Sequence, residues 1–156
     1  MIKKKEKVAS LRSFALVFVI IIIFVAMSFA SPVFLTSKNL INIVRQISIN
    51  GIIAVGMTFV ILTGGIDLSV GSVVAITSVF CGYLLQNGSN WLVACIVALG
   101  IALIFGAFNG FMIAYVGFQP FIATLATVTM GSGIALAFSD GKPFTITDET
   151  FLKIGQ

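Results

Sequence analysis

The chain has 156 residues, nine basic and five acidic side chains, no histidine and a formal net charge of +4. Its mean hydropathy of +1.17 leaves too few polar side chains to cover a water-soluble fold, which excludes a soluble globular domain. Nucleic-acid binding is excluded too: Lys3, Lys4, Lys5, Lys7 and Arg12, set against Glu6, concentrate the whole net charge in residues 1–12, whereas a nucleic-acid surface spreads basic residues over a folded face.

Residues 1–12 read as a cytoplasmic basic tail, because Lys and Arg gather on the cytoplasmic flanks of membrane helices. The apolar run from Phe14 to Met27 predicts a first span over about 13–30, closed by Pro32. A signal peptide has the same grammar, with Ser28 and Ala30 as the small residues before a cut. The membrane sequence that follows favours an uncleaved helix. Ser37 is expected to cap a further helix, with Leu40, Ile41, Val44 and Ile47 on one face. That interfacial turn or two leads into a second span over about 43–66. A third span is expected over 68–85, and the turn from Gln86 to Asn90 precedes Trp91 at the interface. A fourth span covers 91–116. Gly117, Phe118, Gln119 and Pro120 break it, and a fifth covers 121–138. Residues 140–156 read as polar and loop-like. With the N-terminus inside, segment 139–156 is extracytoplasmic.

From Leu68 to Ser139 the chain runs 72 residues without a charged side chain, room for about three crossings of roughly 20 residues each. The expected fold is therefore all-α, a polytopic transmembrane helical bundle of about five spans in the lipid bilayer.

Two features carry more information. In the fourth span Ala94, Ala98, Ala102, Gly106, Gly110 and Ala114 recur every four residues. Small residues at that spacing let helices approach closely in lipid, and the stripe winds enough to serve more than one neighbour. The second feature is Asp67, the one acidic residue between Glu6 and Asp140. It follows Gly64 and Gly65 and precedes Gly71, an arrangement that implies a broken helix. Three roles stay open for it: capping the helix that starts at Leu68 or Ser69, lining a solute or ion path, or lying in a solvated loop. A structural role at the start of the third helix is the working hypothesis.

Catalysis finds no foothold. No histidine, carboxylate dyad or nucleophile–base pair is available. Gly141-Lys142 is followed by Pro143 and lacks the upstream glycine of a phosphate-binding loop. Cys81 and Cys95 sit in apolar segments and read as small hydrophobes, with no support for a metal site or disulfide framework.

The run from Gly56 to Ser72, GMTFVILTGGIDLSVGS, closely resembles the signature of permease subunits of ABC importers for ribose, xylose, galactose and related monosaccharides. Asn39–Gln46, Phe105–Gly110 and Pro120–Leu125 fit the same family. Gln119 stands where the family often has a second proline, and Ser139–Pro143 replaces a more usual Thr-Gly-Gly-Arg-Pro. The resemblance implies a multi-pass subunit of the bacterial plasma membrane, without cofactor, that pairs with itself or a related second permease subunit. Cytoplasmic ATP-binding subunits would hydrolyse ATP, so the chain itself is no enzyme, and an extracytoplasmic sugar-binding protein would deliver the sugar. Such permeases have about ten helices. This chain is expected to be their N-terminal half, stopping before the loop that meets the ATPase and unable to transport alone. The alternatives are half of an ion- or proton-coupled secondary sugar transporter, in which Asp67 carries the cation, and a non-transporting membrane anchor. The resemblance names neither the sugar nor the residues that touch it.

Overall fold

The computed structural model describes the backbone of residues 2–154 and the side chains of residues 14–154. The side chains of the basic segment 1–12 and the last two residues therefore lie outside the described ones. The described residues form six helices: α1 (Ile2–Ala30), α2 (Ser37–Leu62), α3 (Val70–Gln86), α4 (Trp91–Ala114), α5 (Pro120–Ser139) and α6 (Glu149–Ile154). The fold is all-α. Helices α2, α4 and α5 are each long and apolar enough to cross a membrane, and Phe14–Ala30 and α3 are shorter apolar helices. Two compact units divide the chain, Met1–Ile52 and Ile53–Gln156.

In the first unit a turn links α1 to α2. Phe24 meets Phe34 edge to face at 5.0 Å, and the Asn39 side chain donates to the Phe34 carbonyl at 2.8 Å. The Thr36 hydroxyl accepts from the Asn39 N–H at 3.4 Å, so the cap expected at Ser37 sits one residue earlier. The interfacial turn expected before the second span is instead continuous with it. Nothing between Ser37 and Leu62 forces a break, because Lys38, Asn42, Arg45 and Gln46 carry their polarity in side chains and leave the backbone ladder whole.

In the second unit α3 packs against both α4 and α5, which also touch each other. The faces are legible from spacing. Buried Ala123, Thr124, Thr127, Gly131 and Ala135 line one side of α5, and Ser72, Ile76, Gly82 and Leu85 line one side of α3. Helices α3 and α5 approach closely at Gly131, where an added Cβ would stand 3.2 Å from the Cβ of Ser72. The large side chains of α4 point away from this core: Leu99, Leu103 and Ile104 are 65–73% exposed, a surface suited to lipid rather than water.

An aromatic cluster closes the other end. Phe138 stacks on Phe80 at 4.4 Å and meets Tyr83 edge-on at 5.0 Å. Phe144 lies over Gly82, where an added Cβ would come within 3.0 Å of it. The segment read as loop-like contains α6, whose first turn is capped by Asp148, its carboxylate accepting from the Phe151 N–H at 2.8 Å.

Candidate functional site

The site is built where α2 ends. The N–H of Gly64 donates to the Ile61 carbonyl at 2.9 Å and that of Gly65 to the Val60 carbonyl at 3.1 Å. This paired closure requires a left-handed residue after the helix, and Gly64 supplies it with φ +77°. A side chain there would cost about 1–2 kcal/mol, least for Asn or Asp. The second span thus stops at Leu62, short of the expected Ile66, because the glycine closes the helix.

The chain then runs without regular secondary structure to Asp67. One carboxylate oxygen, Oδ1, accepts from the Ser69 N–H at 2.7 Å and from the Ser69 hydroxyl at 2.6 Å. Ser69 itself has helical backbone angles and makes no side-chain cap bond. The acceptor for the unpaired N–H groups at the start of α3 therefore comes from two residues earlier, with its negative charge at the positive end of the helix dipole.

From Ser69 a polar line crosses the unit. Asn109 on α4 donates to Ser69 Oγ at 3.0 Å, and its amide oxygen accepts from the Thr127 hydroxyl on α5. Ser69, Asn109 and Thr127 are at most 5% exposed. Ser72 Oγ donates to the Ser69 carbonyl at 2.8 Å. Thr124 Oγ1 lies 3.4 Å from the Ile66 carbonyl and 2.8 Å from that of Pro120. Among the described residues no buried side-chain polar atom lacks a partner. In an apolar surrounding, interhelical bonds of this kind contribute roughly 0.6–2 kcal/mol each.

Between the 63–67 turn and α4 lies a cavity of about 450 Å³, bordered by Gly64, Gly65, Asp67, Gly106, Asn109 and Gly110 among others. Three sequence candidates, Gly64, Gly65 and Asp67, meet here. Gly71 does not: it is exposed on the first turn of α3, with nothing within 4 Å of an added Cβ. The small-residue stripe of α4 is divided. Ala94 is buried and Ala98 and Ala102 are half-buried, whereas Gly106, Gly110 and Ala114 are exposed and border the cavity.

Sequence reasoning passed over Thr127, and took Ser69, Asn109 and Thr124 only as parts of motifs. Signals were present. Asn109 is the one amide in the 24 residues of α4, and a lone amide in an apolar helix needs a partner. Thr124 and Thr127, three apart on α5, share a face. Among the described residues no group of acidic, cysteine or histidine side chains could hold a metal ion, and Cys81 and Cys95 are free and half-buried.

Residues 39–150 match a family model described as branched-chain amino acid transport system / permease component. The chain is 44% identical over 124 residues to the ribose import permease protein RbsC of Bacillus subtilis, covering 80% of this chain and 38% of that protein. It is 41% identical over 124 residues to the ribose import permease protein RbsC of Escherichia coli K12, covering 80% of this chain and 39% of the relative. With the xylose transport system permease protein XylH of Escherichia coli K12 it shares 38% over 130 residues, 79% of this chain and 32% of the relative. The chain thus spans about a third to two fifths of the length of these curated relatives. No solved structure matches it.

Proposed function

The chain belongs to the branched-chain amino acid transport system / permease component family, and on that premise we propose that it forms part of the membrane-spanning permease of an ATP-driven monosaccharide importer. The observation that carries this reading is the 38–44% identity to ribose and xylose permeases over about four fifths of the chain. Those names favour a sugar over the amino acids of the family description. The cavity agrees in character, with apolar walls and few polar groups, as a path for a neutral solute requires.

In this reading the permease binds and passes the sugar and performs no covalent chemistry. ATP is hydrolysed by separate cytoplasmic ATP-binding subunits, and an extracytoplasmic binding protein supplies the sugar. A second permease subunit completes the path, and alternating access follows from helices rocking between two arrangements. The basic segment 1–12 supports a cytoplasmic N-terminus in a bacterial plasma membrane. Asp67 then serves as the anchor that sets where α3 begins.

The test is association. The full-length permease, solubilised from membranes, is expected to co-purify with an ATP-binding subunit encoded beside it, and the complex to hydrolyse ATP faster when sugar-loaded binding protein is added. A permease that purifies without such a subunit and still takes up sugar would overturn the reading.

A further inference from the structure

The cavity beside the 63–67 turn holds hydrogen-bonding capacity that the surrounding helices leave unused. Asp67 commits Oδ1 to Ser69, and among the described residues its Oδ2 accepts no hydrogen bond. Asn109, 5% exposed, directs one amide N–H to Ser69 and its oxygen to Thr127, which leaves the second N–H without a protein partner among the described residues. Both residues border the cavity. So do Gly106 and Gly110, where an added Cβ would meet nothing within 4 Å among the described residues. Val60, Ile113 and Pro120 supply apolar wall.

These groups select a ligand class. A charged acceptor beside an amide donor suits hydroxyl groups, each of which both donates and accepts. The apolar wall suits C–H faces, and two glycines let a ring lie against α4. An anion would be repelled by Asp67. A metal cation would find one carboxylate, with no cluster of further ligands among the described residues. The volume of about 450 Å³ falls in the range of small-molecule sites.

We propose that this cavity is a binding subsite for a neutral polyhydroxylated solute of monosaccharide size. Asp67 Oδ2 accepts from its hydroxyls, the second Asn109 N–H donates to it, and Gly106 and Gly110 give it room. With Thr63 and Thr124 committed to backbone carbonyls, Asp67 and Asn109 hold such a ligand weakly, as a path that must also release it requires. The assignment rests on the sugar-import reading above.

The experiment uses the full-length permease assembled with its partner subunits, with Cys81→Ala and Cys95→Ala as background and Ala114→Cys, at the exposed border of the cavity, as reporter. Labelling of this cysteine by a small methanethiosulfonate reagent is expected to slow several-fold in saturating ribose, and not in leucine. Asp67→Asn is measured in parallel. Its amide oxygen keeps the bond from Ser69, while the cavity loses a charged acceptor, so, added to the reporter, it is expected to raise the ribose concentration that half-protects the cysteine about tenfold. Labelling that ribose does not slow overturns the subsite. So does a cysteine closed to the reagent without sugar, protection by leucine, or half-protection unchanged by Asp67→Asn. If the unmutated complex imports no sugar, the underlying reading fails. If it imports ribose while labelling stays unmoved by ribose, the subsite alone fails.

Discussion

Asn109 of α4 donates to the hydroxyl of Ser69 at 3.0 Å, and that hydroxyl in turn donates to Asp67 at 2.6 Å. One amide thus ties the break between α2 and α3 to the C-terminal third of α4, and through Thr127 to α5. Ser69, Asn109 and Thr127 are each held by a neighbour on another element, so the turn and the three-helix core are set together.

Replacing Asn109 with leucine keeps the volume and removes both bonds. Ser69 loses its donor and the Thr127 hydroxyl its cross-helix acceptor, in a region at most 5% exposed. Asn109→Leu is expected to cost about 1–3 kcal/mol, and Asn109→Gln less where its longer amide still reaches one partner. Thermal unfolding in detergent checks this, the leucine variant melting lowest.

The two outer glycines of the 64–71 stretch should behave oppositely. Gly64→Ala forces a Cβ into a backbone with φ +77° and is expected to cost about 1–2 kcal/mol. Gly71→Ala places a methyl where nothing lies within 4 Å, on the first turn of α3. It is expected to be neutral or to stabilise by up to about 1 kcal/mol through helix propensity. The fraction of monodisperse protein recovered from membranes separates the two.

Much of this architecture was legible in sequence because its signals are local. The glycine pair marked a break before Asp67, although the expected span ran through it to Ile66, and the charge-free stretch marked the membrane helices. Asp67 raised the question of a cap because a lone carboxylate among apolar residues must find donors. What stayed hidden was relational. The four-residue ladder on α4 drew attention to its alanines and glycines, while Asn109, one residue before Gly110, carries the cross-helix bonds. Its partners Ser69 and Thr127 stand 40 and 18 residues away, and no periodicity within one helix reports that pairing. The ladder read as one seam divides in space, since a four-residue step rotates away from a fixed neighbour. The short α6 was missed because its cap, Asp148 to Phe151, lies in a polar stretch too short for a periodic pattern.

Gly131 against Ser72 makes a packing prediction with its own control. Gly131→Val would press a branched side chain onto a Cβ 3.2 Å from where its own first carbon must stand. The overpacking is expected to cost about 1–3 kcal/mol. Ser72→Gly removes the obstructing side chain, so the double variant should recover part of that loss. A double-mutant cycle on unfolding midpoints reads the coupling, and strict additivity would contradict the contact.

The claim that an ATPase drives this permease to import a monosaccharide is tested most directly in proteoliposomes. The full-length permease, its ATP-binding subunits and the binding protein are reconstituted, and uptake of radiolabelled ribose is followed with ATP present or absent. The account predicts accumulation that needs ATP and binding protein and is indifferent to an imposed pH gradient. Ribose uptake that runs on the pH gradient without ATP would contradict it, and would make Asp67 a carrier of protons rather than the anchor of α3.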